Sequence, residues 1–210
     1  MTAIDLAAFA RLSPTTLADV LTRDRVMDPG IRPLWSPIPR VTGPAYPVRC
    51  APGDNLMVHG AIHRAPAGTV IVVQAGDQDF AVAGGNVCAW AQERGIAGFI
   101  VDGLIRDVGE GRQRRFPVFS RGVIPIPGDK KGPGTLGETV TCGGVSVAPG
   151  DIVVADEEGI VVVPARAAAR VLAAAEARAA QDAATTLEVW ARGHRERIEA
   201  ILKGLNARKS

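Results

Sequence analysis

The 210 residues, 47% of them hydrophobic, suffice for one globular domain with a proper core and an appendage. With 24 Lys+Arg against 22 Asp+Glu, a formal net charge of +2, the chain offers no broad positive field for nucleic acid, so the expected ligand is small. Three cysteines (Cys50, Cys88, Cys142) without metal-ligand spacing are expected as reduced, partly buried thiols. No apolar run approaches a membrane span, and the N-terminal stretch, with Asp5 inside its apolar run, does not read as a signal peptide; the expectation is a cytoplasmic, membrane-free protein.

Taken in order, residues 6–12 and 15–21 read as two short helices parted by Ser13-Pro14, an N-cap followed by a favoured first helical residue. The segment 28–53 is dense in Pro and Gly, which disfavours helix and predicts extended pieces along the edge of the core. Residues 56–63 carry Leu56, Met57 and Ile62 in a helical pattern with His59 and His63 four apart, and TVIVV at 69–73 is the β-branched run of a strand covered on both faces. The stretch 84–107, GGNVCAWAQERGIAGFIVDGLIRD, gives a Gly-rich turn and then a helix over 86–94. Asn86 is its expected N-cap, Val87, Cys88, Trp90 and Ala91 its apolar side, and Gly95 its stop. A buried strand over 98–101 follows, exiting through Asp102-Gly103 toward Arg106-Asp107. Further on, 116–119 begins a strand, 122–134 is a Gly- and Pro-rich loop, and 138–147, 152–156 and 160–163 are strands separated by turns. After Pro164 the chain turns alanine-rich, which predicts a long helix or a helix pair broken near Thr185-Thr186. Its expected buried stripe is Val171, Leu172, Ala175, Leu187, Trp190, Ile198, Ile201 and Leu202. The organisation expected is an α/β domain over 1–164 and a helical extension over 165–210 that packs on the domain or on a neighbouring subunit.

Most motif-like features have a plain structural reading. GGNVCA lacks the G-x-G-x-x-G order of a dinucleotide fold, and no phosphate-binding G-x-x-x-x-G-K-[ST] occurs. His59 and His63 lack both the Glu of H-E-x-x-H and a third ligand, so they read as a packed or exposed pair rather than a zinc site. Arg112, Arg114 and Arg115 read as a solvated loop, and Cys88, inside a predicted helix, as core rather than nucleophile. What remains is Arg106-Asp107 facing the turn of Gly84, Gly85, Asn86 and Val87. It reads either as a surface ion pair or as a site: backbone N–H groups at a helix N-terminus for an anion, the Arg106 fork for a carboxylate or enolate oxygen, and Asp107 for Mg²⁺ or Mn²⁺. Together these groups would bind a small 2-oxo acid.

The segments PGDNLMVH (52–59), the whole of 84–107, FPVF (116–119) and VAPGDIVVADEEGIVVVP (147–164) jointly resemble the RraA-like family. That family takes in class II pyruvate aldolases acting on 4-hydroxy-4-methyl-2-oxoglutarate and 4-carboxy-4-hydroxy-2-oxoadipate, and the regulator of ribonuclease E activity. The resemblance implies a compact β/β/α sandwich of the RraA-like swivelling type with a long C-terminal helical tail, assembled as a homotrimer or homohexamer with sites between subunits. It implies a metal-dependent carbon–carbon lyase, aldolase and/or oxaloacetate decarboxylase, in which Gly84, Gly85, Asn86, Val87 and Arg106 hold pyruvate, Arg106 steadies the enolate, and Asp107 binds the metal. The aldolases carry an acid where this chain has Gly85, which puts aldol cleavage in question more than decarboxylation; Asp156, Glu157 or Glu158 of a neighbouring subunit could supply one. The alternative is a non-catalytic regulatory protein acting on a macromolecular partner such as a ribonuclease, against which the retained Arg106-Asp107 pair counts.

Overall fold

A computed structural model describes residues 4–207. Local chemistry accounts for the first elements. Helix α1 (Leu6–Arg11) starts where Asp5 Oδ1 accepts the Ala8 N–H at 2.9 Å, and α2 (Pro14–Ala18) where Ser13 Oγ accepts the Thr16 N–H at 3.1 Å. There follow β1 (Arg32–Pro33), β2 (Val41–Arg49), α3 (Leu56–Arg64), β3 (Val70–Gln74), α4 (Gly85–Glu93), β4 (Gly98–Ile105), α5 (Val108–Arg114) and β5 (Val118–Val123). The second half holds β6 (Thr135–Leu136), β7 (Val140–Cys142), β8 (Val145–Val147), β9 (Ile152–Asp156), β10 (Gly159–Val163), α6 (Ala168–Ala184) and α7 (Leu187–Ala207).

The main sheet runs β1-β5-β4-β3-β2-β9-β10, with β6 added beside β2. Strands β2 to β5 pair in parallel, while β9, β10 and β1 join antiparallel. Side-chain alternation divides the core in two, as a sheet covered on both faces requires. In β3, Ile71 and Val73 face a cluster with Val58, Ala61 and Ile62 of α3 and Cys88 and Ala91 of α4. Val70 and Val72 face the other side, where the β7–β8 hairpin contributes Val140, Cys142, Val145 and Val147. The architecture is thus the expected α/β one, with helices on one face, a second β layer on the other, and a long C-terminal helix.

Several elements differ from expectation. The segment 41–49 does not skirt the core: β2 is central, pairing through Val41–Pro44 with β9 and through Ala45–Arg49 with β3. Because its partner changes midway, Pro44 and Pro47 each have one main flank paired, which is how an interior strand tolerates them. Residues 138–147 are not one strand but the β7–β8 hairpin, turned at Gly143-Gly144 with φ of +54° and +75°. The arginine run 112–115 lies mostly in α5 rather than a loop. Helix α4 begins two residues earlier than Asn86 would cap it, with Gly84 as N-cap, and Trp90 faces solvent.

The chain divides into two compact units after Ala175. Within the first, Ala168, Val171 and Ala175 bury one side of α6. Within the second, the expected stripe is open: Leu187, Trp190, Ile198, Ile201 and Leu202 are all exposed, and Trp190 stacks on His194 at 4.6 Å. Among the described residues no helix is long and apolar enough to cross a membrane.

Candidate functional site

Residues 81–83 run beside the end of β4, Val82 N–H donating to Leu104 O at 2.9 Å and Arg106 N–H to Ala83 O at 3.0 Å. That pairing seats the Gly84 turn against the strand exit. A Cβ at Gly84 would lie 2.5 Å from Asp107 Oδ2 and 3.0 Å from Arg106 Cγ and Nε, so a larger residue there would push both side chains from their places. As Gly84 caps α4, the N–H groups of Gly85, Asn86 and Val87 open the helix without a partner four residues back. One is taken internally, Gly85 N–H donating to Asp107 Oδ2 at 2.9 Å. Those of Asn86 and Val87 face the cleft side of the turn, a setting in which bare N–H groups and the helix dipole favour negative charge.

Asp107 is the N-cap residue of α5 and sits at φ 61°, ψ 39°, a left-handed backbone that Asp tolerates better than most residues. Arg106 Nε lies 3.4 Å from Asp107 Oδ2, with the two side chains 41% and 38% exposed. An ion pair so exposed is worth ~0–1 kcal/mol, while a left-handed non-glycine residue costs about 1 kcal/mol. Stability alone therefore does not account for the pair. The contacts of Asp107 among the described residues use Oδ2, so Oδ1 is the oxygen it can offer a cation.

These groups line a cleft of about 180 Å³ together with Asn55 and His59 of the α3 end and Pro127 and Lys130 of the loop 124–134. Asn55 is 3% exposed; its Nδ2 donates to Gly128 O at 3.1 Å, but its buried Oδ1 has no partner among the described residues. An orphaned buried acceptor in a cleft wants a hydroxyl or N–H from a ligand. Burial, and then Lys130, hold the His59 pKa below its usual value, so His59 is neutral at pH 7.

The loop with Lys130 is anchored by Asp54. Its carboxylate accepts Lys131 N–H at 2.6 Å, Gly132 N–H at 2.7 Å and Leu56 N–H at 2.8 Å. Burial would push its pKa up, but these three donors and Lys130 outweigh burial and hold it below the usual range. A carboxylate with a depressed folded pKa adds stability above its unfolded pKa, and that stability fades as pH falls through the folded value. Asp54→Ala is expected to cost about 3 kcal/mol at pH 7 in urea unfolding, with the deficit shrinking below pH 4. An unchanged urea midpoint at pH 7 would show that the anchor does not hold the loop.

The structure thus brings Gly84, Gly85, Asn86, Val87, Arg106 and Asp107 into one cleft. Asp156, Glu157 and Glu158 do not line it. Asp156 pairs with Arg40 at 2.9 Å and caps the Glu158 N–H at 3.0 Å, and Glu157 accepts from Ser36 Oγ at 2.5 Å. Asp102 is structural, accepting Arg121 Nε at 2.5 Å and Gly143 N–H at 2.7 Å. All three cysteines are free and buried, and burial pushes Cys50 to about 11 and Cys88 to about 12, so they are inert thiols. His63 accepts Trp90 Nε1 at 3.3 Å, apart from His59's role in the cleft. Asn55, His59 and Lys130 were not singled out as site residues from sequence. The first two lie in PGDNLMVH, whereas Lys130 sits in a loop without a motif.

The model of the RraA-like family, described as Aldolase/RraA, matches residues 14–162. A protein of Halalkalibacterium halodurans, provisionally named 4-hydroxy-4-methyl-2-oxoglutarate aldolase, is 40% identical over 183 residues, covering 86% of this chain and 87% of its own. Among solved structures, an uncharacterized protein from Pseudomonas syringae pv. tomato superposes with a TM-score of 0.75 at 28% identity over 89% of this chain and 93% of that one. Streptomyces coelicolor RraAS2, described as an unusual member of the RNase ES inhibitor RraA protein family, does so with 0.74 at 29% identity over 84% and 92%.

Proposed function

The chain belongs to the RraA-like family, and from that membership we propose that it is a divalent-metal-dependent lyase that cuts a C–C bond of a small 2-oxo acid through a pyruvate enolate. The observation that carries the reading is the convergence of Arg106, Asp107 and the Asn86 and Val87 N–H groups on one cleft of about 180 Å³. That volume is below the ~300–1,000 Å³ usual for drug-sized ligands and suits a metabolite of a few carbons.

The donor set fits the metal. Among the described residues no group of three His, Cys, Asp or Glu could form a cage, but Mg²⁺ is commonly held by one or two carboxylates with substrate oxygens and several waters. Asp107 would hold Mg²⁺ or Mn²⁺ through Oδ1. When bound, the ion supplies Lewis-acid polarisation of the 2-oxo group. Arg106 and the Asn86 and Val87 N–H groups hold the pyruvyl carboxylate and the oxygen on which enolate charge grows, the Arg fork being suited to both. Lys130 and neutral His59 offer a cation and a hydrogen-bonding ring to a second carboxylate. A dicarboxylic 2-oxo acid, of the kind named for the 40%-identical relative, uses both. Oxaloacetate, whose C4 leaves as CO₂, gives the same enolate.

A second reading, a non-catalytic regulator, draws on the likeness to structures described as inhibitors of RNA processing. A coupled pyruvate assay with oxaloacetate and with 4-hydroxy-4-methyl-2-oxoglutarate, with Mg²⁺ or Mn²⁺ and with EDTA, separates the two. Metal-dependent pyruvate release, removed by EDTA, is expected. No turnover of either substrate with metal present would reject the lyase.

A further inference from the structure

Aldol cleavage needs a group to take the proton of the hydroxyl on the departing carbon. Asp107, the carboxylate that lines the cleft, is committed through Oδ2 to Gly85 and Arg106. His59 is grouped with Lys130 on the wall made by α3 and the loop 124–134. A second carboxylate, that of the exposed Glu110, stands just behind the lining residue Gly85. A Cβ added to Gly85 would run into Glu110 Oε2 and Cδ and lie 3.1 Å from Oε1. The carboxyl group of Glu110 therefore occupies the place where a side chain of residue 85 would begin.

The first turn of α5 brings it there. Glu110 is the third residue of α5, and its N–H donates to Asp107 O at 3.1 Å. The two carboxylates thus bracket one cleft residue, Asp107 on the Gly85 N–H and Glu110 over its Cα. Both fields reach Cys88, one turn further along α4, where after burial they are the next causes raising the thiol pKa. Glycine at 85 is what leaves Glu110 this position, since any side chain there would displace it.

We infer that Glu110 is a catalytic residue, the carboxylate that takes the proton of the substrate's C4 hydroxyl during aldol cleavage. The inference rests on the lyase reading. In the step, the C4–O–H proton passes to the Glu110 carboxylate and the O–H pair becomes the second bond of the new C4 carbonyl. The C3–C4 bond breaks, and its electrons go to C2–C3, leaving the C2 oxygen negative beside Arg106. Return of the proton to C3 of the enolate gives pyruvate and regenerates the carboxylate. No co-reactant is consumed. Oxaloacetate has no C4 hydroxyl, so its decarboxylation does not use this step.

The test measures both reactions in Glu110→Gln, with pyruvate and Mg²⁺ binding followed by calorimetry. Expected is a ~10²- to 10⁴-fold fall in kcat for aldol cleavage, a fall of less than about tenfold for decarboxylation, and little change in either affinity. The double variant Gly85→Asp with Glu110→Ala should regain part of the aldol activity that Glu110→Ala loses, a rescue a purely structural role would not give. Equal loss of both reactions, Mg²⁺ binding weakened more than about tenfold, or aldol cleavage lost in His59→Gln but kept in Glu110→Gln would each overturn it. Wild-type protein that decarboxylates oxaloacetate but cleaves no aldol substrate overturns the role of Glu110 and leaves the lyase standing; wild-type protein inactive on both overturns both.

Discussion

Arg106→Ala is expected to lower kcat/KM for pyruvate release roughly 10²- to 10³-fold on every substrate, the range for loss of one donor aimed at developing charge. The loss should fall on kcat as well as KM, because the guanidinium meets the carboxylate in the ground state but meets full enolate charge only as the bond breaks. Arg106→Lys keeps the charge and loses the planar fork, so it should recover part of the activity. Folding should barely change: the side chain is 41% exposed and its pair with Asp107 spans 3.4 Å, a contact worth under ~1 kcal/mol. Steady-state kinetics beside a urea unfolding curve checks both halves. A loss below tenfold with an unchanged fold would mean that Arg106 does not steady the reacting oxygen.

The part of this site that is local in sequence was legible there, and the part built by tertiary contact was not. Glycines before an apolar helix, and an Arg-Asp pair after a buried strand, announce an anion-binding turn and a charged exit, and parallel pairing of β3 with β4 makes them neighbours. The cap of α4 was misread because Asn86 is the better capping residue by type, whereas the helix opens two residues earlier, at Gly84, where Arg106 and Asp107 pack close against the turn. Glu110 was invisible because α5 was taken for a loop: Gly109 and Gly111 weaken its helical pattern, and Asp107 starts it from a left-handed conformation no pattern predicts. Lys130 depends on Asp54, 76 positions away in the sequence, whose carboxylate organises its loop. In α7 the apolar stripe was read correctly as a stripe, but its residues are exposed within their own unit, so the pattern gives the helix and not what covers it.

Asp107→Asn should do most harm. The choice of Asn separates chemistry from folding: it tolerates the left-handed φ of 61° and keeps an oxygen to accept the Gly85 N–H, so the α4–α5 junction survives. Alanine would add backbone strain and strip that N–H of its acceptor, leaving a loss of activity ambiguous. What Asn removes is the negative charge of the one lining carboxylate, the group proposed to hold the divalent ion. If Lewis-acid polarisation contributes about 4 kcal/mol, pyruvate release from oxaloacetate should fall roughly 10³-fold. The residual rate should become insensitive to EDTA, and isothermal titration should find Mn²⁺ binding lost in the variant at concentrations that saturate the wild type. The cysteines give an internal control: with the stronger of the two carboxylate influences on it gone, Cys88 should remain buried and unreactive toward thiol reagents, since burial is the largest cause of its raised pKa. An Asp107→Asn protein that keeps EDTA-sensitive turnover within tenfold of wild type would remove Asp107 as the metal ligand, and with it the distinction between this cleft and one that binds a 2-oxo acid without cutting it.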